Sequence, residues 1–153
     1  MLRVGTPAPP FEGRDSRGQP LNLADFRGKK NVVLFFFPRS FTPGCTAEVC
    51  SFRDAYQELS GRDTVLVGVS LDRADVQQRF IDQFELPFHL LSDEDQRVSR
   101  AYEALGVIGS VLKMPRRVTY LIDKEGVVRA AFRHELAIKR HLDDVRSALA
   151  ALP

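Results

Sequence analysis

Two kinds of apolar pattern alternate along the chain. Continuous apolar runs bounded by turn residues predict buried strands, and apolar residues that recur every three or four positions predict amphipathic helices. The predicted strands span residues 31–37, 65–70, 88–91, 117–123 and 127–133. The predicted helices span residues 43–60, 76–84 (with Asp72 or Asp75 as cap), a segment that opens at 92–95 and ends near 105, and 138–152.

The order of these elements predicts an α/β fold with a mixed central sheet and helices on both faces. Strands alternate with helices up to about residue 105, as in sheets that contain parallel strands. The Lys124-Glu125-Gly126 connection between the last two strands signals an antiparallel hairpin. A turn at residues 15–18 predicts an N-terminal β-hairpin. We expect a single domain over residues 1–153.

Composition and charge narrow the classes of partner. The net charge is +2 without a basic run, which argues against nucleic acid and membrane surfaces. No apolar stretch approaches the ~20 residues of a membrane helix, and the N-terminus lacks the apolar region of a secretion signal. We therefore expect a cytoplasmic protein, in which a permanent disulfide would be unusual. The two cysteines and three histidines lack paired ligand spacing, so no metal site is expected.

Cys45 stands where the predicted helix at 43–60 begins, directly after the predicted strand at 31–37. Thr42 is suited to cap this helix, and Pro43 to occupy its first position, where a missing N–H has no cost. Cys45 then lies in the first turn, where unpaired backbone N–H groups and the helix dipole favour an anion. A thiolate is such an anion, so this position can turn a cysteine into a nucleophile.

The same spacing is compatible with an inert cysteine. Cys45, Val49 and Phe52 share one face of the predicted helix, and a free cysteine on such a face is commonly a small buried apolar residue. The Thr-Pro-Gly context at 42–44 and the nearby arginines favour the reactive cysteine instead.

These residues resemble a known family. Pro38, Thr42 and Cys45 form the pattern Pro-x-x-x-Thr-x-x-Cys, which resembles the signature of the peroxiredoxins, the AhpC/TSA-like thiol peroxidases of the thioredoxin-like fold. Thr-Pro-Gly-Cys-Thr followed by Cys50 resembles the Q-type subgroup, also called bacterioferritin comigratory proteins. Residues 117–123 resemble the later strand that opens with the family's active-site arginine, and residues 5–11 resemble its usual opening.

The resemblance implies a role for each candidate residue. Cys45 would attack a peroxide and become a sulfenic acid, with Thr42 binding the peroxide oxygens, Arg117 stabilising the charges and Pro38 shaping the pocket. Cys50 would resolve the sulfenic acid by forming an intramolecular disulfide, which thioredoxin or a similar dithiol reductant would reduce. No flavin, haem or metal cofactor is implied. The expected assembly is a monomer or a weak homodimer.

The implied disulfide sets a geometric requirement. On one continuous helix the Cα atoms of Cys45 and Cys50 would stand about 8.6 Å apart and face different directions. A disulfide needs Cα atoms within about 6.8 Å. We therefore expect the first turns of the helix to unwind on oxidation, and Cys50 to be less buried than Cys45.

Other residues leave alternatives open. Glu48 could pair with Arg117 or Arg53, shuttle a proton, or remain a solvated charge. The apolar segment 107–114 is expected as a loop beside the pocket, where it binds bulky hydroperoxides or forms a weak dimer contact, or simply covers the sheet edge. Phe41 would make the pocket mouth more apolar than is usual in the subgroup. His89 is expected to be structural, whereas His134 and His141 are expected at the surface.

Two other functions would use the same thiols. A thioredoxin-type disulfide oxidoreductase is one, although such proteins normally carry Cys-x-x-Cys, and Cys45 and Cys50 form Cys-x4-Cys. A non-enzymatic redox sensor or holdase is the other. A sensor would stop after one oxidation, whereas a peroxidase would cycle with a reductant.

Overall fold

The strands and helices follow the predicted order, with one additional pair of short strands. The computed structural model describes residues 1–108, 112–133 and 140–152, and for residues 106–108 and 112–115 the backbone alone. The strands are β1 (Glu12–Arg14), β2 (Pro20–Asn22), β3 (Asn31–Phe36), β4 (Thr64–Ser70), β5 (His89–Ser92), β6 (Leu105–Ile108), β7 (Leu112–Pro115), β8 (Val118–Ile122) and β9 (Val128–Arg133). The helices are α1 (Pro43–Asp54), α2 (Tyr56–Ser60), α3 (Ala74–Phe84), α4 (Arg97–Ala101) and α5 (Arg140–Ala150).

A five-stranded mixed sheet in the order β5-β4-β3-β8-β9 forms the centre of the fold. β3, β4 and β5 are parallel, whereas β8 runs antiparallel to both β3 and β9. All six residues of β3 are buried, as the continuous apolar run predicts for a strand covered on both faces. The N-terminal hairpin of β1 and β2 is also confirmed.

Alternate residues of β3 belong to two separate apolar cores. Val33 and Phe35 pack in one cluster with residues of α1, α2, α3 and α5. Val32 and Leu34 pack on the opposite face with α4 and the N-terminal hairpin. Helices therefore cover both faces of the sheet, as predicted, because side chains of a strand point alternately to its two sides.

The predicted continuous helix over 43–60 is wrong at one residue. Ala55 leaves the helical conformation, with φ −94° and ψ 1°, and separates α1 from α2. Phe52 and Leu59, on either side of the break, are buried in the same core. The local sequence has no proline or glycine at this point, so the packing of the two segments on the sheet decides the break.

The predicted helix that ends near residue 105 is also wrong, because α4 stops at Ala101. Glu103 adopts a left-handed conformation, with φ 52°. The N–H groups of Glu103 and Ala104 donate to the carbonyls of Arg100 and Ser99, which is the Schellman arrangement that ends helices. That arrangement usually contains glycine, so a glutamate there gives no signal in the sequence.

The segment predicted as an apolar loop at 107–114 contains paired strands. β6 and β7 pair in antiparallel register, with Gly106 opposite Met114. The contribution of its side chains to a pocket or a dimer contact lies outside the described residues. His134 and the start of the predicted helix at 138–139 also lie outside them. In the part of the chain that the structure describes, every helix is too short or too polar to span a bilayer.

Close packing between β4 and its neighbours generates a prediction about Gly68. A Cβ atom at this position would lie 2.6 Å from Leu90 Cδ2 and 2.8 Å from Phe35 Cζ, both in the core. Gly68→Ala should lower the free energy of unfolding by about 1–3 kcal/mol, because the surrounding side chains cannot move without strain. Urea denaturation followed by circular dichroism measures this change.

Gly61→Ala is the matched control. Gly61 has φ −66°, and a Cβ atom there would come no closer than 3.3 Å to any neighbour. Its substitution should change the free energy of unfolding by less than about 1 kcal/mol. Equal losses in the two variants would show that the core around residue 68 adapts to a methyl group.

Candidate active site

The site lies where the parallel strands of the sheet end. β3 ends at Phe36, residues 37–42 form a loop, and α1 begins at Pro43. Open α/β sheets carry their sites at this carboxyl edge, because the loops that follow neighbouring strands meet there. Cys45 lies in the first turn of α1 and is 0% exposed. Its side chain is part of the core that contains Val49 and Phe52, so the predicted packing face is confirmed.

Thr42 occupies the N-cap position of α1 but does not cap it with its side chain. The Thr42 hydroxyl donates a hydrogen bond of 2.8 Å to the Arg39 carbonyl. The first hydrogen bond of the helix is instead made by the Thr42 carbonyl, which accepts from the Thr46 N–H at 2.9 Å. The predicted N-cap position is therefore confirmed, but the side chain makes no capping hydrogen bond, because the hydroxyl closes the preceding loop. Pro43 stands at the first helical position, as predicted.

Glu48 and Arg117 form a buried ion pair in the same region. Arg117 Nη1 donates to Glu48 Oε2 at 2.9 Å. Glu48 is 0% exposed and Arg117 is 9% exposed. Of the alternatives for Glu48, the pairing with Arg117 is confirmed and the solvated charge is wrong. Arg53 instead donates to the Phe84 carbonyl.

The electrostatics link Arg117 to the cysteine. Burial lowers the pKa of the Arg117 guanidinium, but its interactions with the Cys45 sulfur and with the Glu48 carboxylate outweigh burial and raise that pKa above its ordinary value. Arg117 therefore remains a cation, and it lies close enough to the Cys45 sulfur to interact with its charge. Arg116, its neighbour in the chain, is half-buried.

Cys50 lies on the same helix, one and a half turns after Cys45. Both cysteines are free thiols, Cys45 buried and Cys50 half-buried. The expected difference in burial is confirmed. The break at Ala55 follows both residues, so the helix is continuous between them. Pro38 is half-buried in the loop between β3 and α1.

Ser40 and Asp72 form contacts that the sequence analysis missed. Asp72 does not cap α3, whose N-cap position is Arg73, and its carboxylate accepts hydrogen bonds from the Ser40 N–H and hydroxyl instead. Asp75 also provides no side-chain cap. A signal was present, because Ser40 and Asp72 are polar residues that follow two adjacent buried strands.

Phe41 has a left-handed backbone, with φ 65°, and a side chain that is 41% exposed. Its ring packs against those of Phe80 and Phe84 on α3, with centroid distances of 5.0 and 6.3 Å. An aromatic surface therefore lies next to Thr42.

The predicted surface position of His141 is wrong. His141 is 0% exposed, and its Nδ1 lies 2.7 Å from Thr119 Oγ1. It stands in the first turn of α5, which packs on β8 and β9. The side chain of His89 is half exposed, and its Nδ1 lies 3.4 Å from Asp15 Oδ2 at the edge of the sheet.

Comparison with known proteins agrees with this geometry. Residues 4–131 match the model of the AhpC/TSA family. The chain is 41% identical over 134 residues to a putative peroxiredoxin bcp of Coxiella burnetii, covering 86% of this chain and 88% of that one.

Two solved structures are also similar. The crystal structure of peroxidoxin BcpB from Mycobacterium tuberculosis superimposes with a TM-score of 0.92 and 30% identity, covering 100% of this chain and 99% of that one. A bacterioferritin comigratory protein of Xanthomonas campestris, described as having alkyl peroxide reduction activity, gives a TM-score of 0.85 and 28% identity, covering 92% and 90% of the two chains. The fold is thus that of the thioredoxin-like peroxiredoxins, and the chain belongs to the AhpC/TSA family, as a thiol-dependent peroxidase of the peroxiredoxin Q and bacterioferritin comigratory type.

Proposed function

We propose that Cys45 is the residue that attacks the peroxide and that Cys50 resolves the product. The observation that carries this proposal is the position of the Cys45 thiol. It lies in the first turn of α1, beside a buried guanidinium that Glu48 holds by an ion pair. The N-terminus of a helix and a neighbouring cation both favour a thiolate. Cys50 lies five residues further along α1 and is half-buried.

In the first step the Cys45 thiolate attacks one oxygen of the hydroperoxide. A sulfur–oxygen bond forms, the oxygen–oxygen bond breaks, and the leaving oxygen takes a proton to give an alcohol or water. Arg117 stabilises the negative charge as it moves from the sulfur to the leaving oxygen. The Thr42 hydroxyl donates to Arg39, so its oxygen lone pairs are suited to accept a hydrogen bond from the peroxide.

In the second step the Cys50 sulfur attacks the sulfenic acid of Cys45. A disulfide forms and water leaves. α1 must unwind before this step, because its continuous helix keeps the two Cα atoms about 8.6 Å apart, beyond the reach of a disulfide. A dithiol reductant, for which we propose thioredoxin, then exchanges its own thiols for the disulfide and restores both cysteines.

The cycle needs one copy of the chain, because both cysteines lie on α1. We therefore propose that the single domain over residues 1–153 acts as a monomer or in a weak homodimer, without nucleic acid or membrane partners. The cycle also requires a supply of reduced dithiol, and we propose the cytoplasm as the compartment that provides it.

Organic hydroperoxides are proposed as substrates beside hydrogen peroxide. The exposed ring of Phe41 provides an apolar surface beside Thr42 that an alkyl group could contact. The relative from Xanthomonas campestris is described by its alkyl peroxide reduction activity. Steady-state kinetics with hydrogen peroxide and cumene hydroperoxide, coupled to thioredoxin and its reductase, would compare the two substrates.

Replacement of each cysteine should stop the peroxidase cycle at a different step. Cys45→Ser should abolish peroxide consumption, because a serine hydroxyl is almost never ionised near neutral pH. Cys50→Ser should consume about one equivalent of peroxide where Cys45 stops at the sulfenic acid, or about two to three where Cys45 is over-oxidised to sulfinic or sulfonic acid, and should then stop. The coupled assay and mass spectrometry of the intact protein measure both results. Activity above a few per cent in Cys45→Ser would refute the assignment. Sustained turnover in Cys50→Ser would show that a thiol from outside the chain, such as that of the reductant, resolves the sulfenic acid.

Arg117 and its neighbour form a matched pair of variants. Arg117→Ala should slow the oxidation of Cys45 about a hundredfold, or ~3 kcal/mol, because the thiolate and the transition state both lose their cationic partner. Arg116→Ala removes the same charge one position earlier and should have little effect. Single-turnover oxidation of the reduced protein measures the rate. A larger loss in Arg116→Ala would show that the wrong arginine is assigned to the site.

The redox state should change the structure of α1. Reduced protein should show helix through both cysteines, whereas the disulfide form should lack helix over about residues 42–51. Far-UV circular dichroism and amide exchange of the two forms test this, with residues 52–54 as an internal reference, because Phe52 remains packed on Phe35. Identical helicity and protection in the two forms would contradict the geometric argument.

A further inference from the structure

The Asp72 carboxylate binds the loop that leads to Cys45. Its Oδ2 atom accepts three hydrogen bonds of 2.8 Å, from the Ser40 N–H, the Ser40 hydroxyl and the Ser70 hydroxyl. Hydrogen bonds to an ionised oxygen are stronger than those between neutral groups. Ser40 is 4% exposed. One carboxylate thus binds both the backbone and the side chain of the residue that stands five positions before Cys45.

Asp72 is itself bound from two sides. Its backbone carbonyl accepts a hydrogen bond of 2.6 Å from the Ser92 hydroxyl at the end of β5. Its partner Ser70, at the end of β4, also accepts from Gln77 Nε2 at 2.9 Å, and Gln77 is fully buried on α3. The network therefore connects the loops at the carboxyl ends of β3, β4 and β5. Ser40 is the member that belongs to the loop before α1.

The residue after Ser40 has a strained backbone. Phe41 has φ 65°, a conformation that residues other than glycine adopt at a cost. Ser40 precedes it as the anchored residue, and the Phe41 ring packs against Phe80 at 5.0 Å. A strained backbone conformation persists only where contacts with the surrounding residues hold it in place. If Ser40 were released, the loop would be free to leave this conformation.

We propose that Asp72 is a positioning residue that, through Ser40, keeps Cys45 in the first turn of α1 during the attack on peroxide and restrains the loop opening that precedes the disulfide. The inference rests on the proposed roles of Cys45 and Cys50. The segment that must unwind is tethered by Ser40 on one side and by the buried Phe52 on the other. Release of Ser40 lengthens the part of the chain that can move before α1, and it relieves the backbone strain at Phe41. More conformations of this longer segment then bring the sulfur atoms of Cys45 and Cys50 together.

This restraint has a chemical consequence for over-oxidation. A sulfenic acid at Cys45 can either react with a second peroxide to give a sulfinic acid or leave the pocket and form the disulfide. The longer the loop stays closed, the more often the second peroxide reacts first. Asp72 thus favours the first oxidation of Cys45 and also increases its exposure to a second one.

Three variants test the proposal. Asp72→Asn retains the shape of the side chain but removes the charge, and Ser40→Ala removes only the hydroxyl donor. Asp75→Asn is the control, because Asp75 carries the same charge three positions later and pairs with exposed Arg73 and Arg79 instead of the loop. Rapid quenching with a thiol-alkylating reagent, followed by mass spectrometry, measures the rates of Cys45 oxidation and of disulfide formation.

We expect disulfide formation to be about tenfold faster in Asp72→Asn, since charged hydrogen bonds to Ser40 are lost. Oxidation of Cys45 should be slower, and the peroxide concentration that over-oxidises half of Cys45 should rise. Ser40→Ala should change the same quantities in the same direction by less, and Asp75→Asn should match the parent chain. If disulfide formation in Asp72→Asn is unchanged or slower, the proposal is overturned, because a residue needed only for folding would slow both steps.

A second measurement separates this proposal from the proposed function. Amide exchange of the reduced protein, without peroxide, should be faster over residues 40–47 in Asp72→Asn than in Asp75→Asn. Equal exchange in these two variants would refute the anchoring by Asp72 even if the peroxidase cycle is correct. A parent chain that forms no Cys45–Cys50 disulfide would refute the cycle, and the exchange of the loop would still report on the anchoring.

Discussion

The antiparallel pairing of β8 with β3 is the constraint on which the site depends. Because the two strands run in opposite directions, β8 begins where β3 ends, and Phe36 pairs with Val118. Arg117 directly precedes Val118, so it lies beside the loop that leads from β3 to Cys45. A parallel strand in the same place would carry Arg117 to the far end of the sheet. β4 runs parallel to β3, so both strands end at the same edge of the sheet, and Asp72, which follows β4, lies at that edge too.

Burial of the Glu48–Arg117 pair is better explained by function than by stability. Removing two charges from water costs free energy that their mutual attraction only partly offsets. Apolar residues of similar size could fill the same space at no loss of stability. The ion pair does what apolar residues cannot, since it fixes the direction of the guanidinium and keeps a cation beside the Cys45 sulfur. Glu48 stands one helical turn after Cys45 on α1, so one helix positions both the sulfur and the carboxylate that orients Arg117.

The two proposed steps require different conformations of α1. The proposed attack on peroxide uses a Cys45 that is buried in a regular first turn, whereas the proposed Cys45–Cys50 disulfide needs that turn to unwind. Gly44 has low helix propensity and the Thr42 side chain makes no capping hydrogen bond, so the first turn of α1 has little local stabilisation. Further along, the Phe52 ring stacks on Phe35 at a centroid distance of 4.8 Å and holds the rest of the helix on the sheet. The proposed anchoring of Ser40 by Asp72 adds a contribution from outside the helix to the balance between these two conformations.

The sequence by itself determined the order of the strands and helices and the position of Cys45 in the first turn of α1. These features depend on local periodicity and on turn residues such as Pro43 and Gly126, which act within a few positions of the chain. The match of Pro38, Thr42 and Cys45 to a family signature likewise needed only neighbouring residues. Tertiary structure decided the rest, because it depends on residues distant in sequence: the break at Ala55, the pairing of Glu48 with Arg117, the burial of His141 against Thr119, and the binding of Ser40 by Asp72. A capping aspartate and one that binds another loop look alike in sequence, and only the arrangement of the strands distinguishes them.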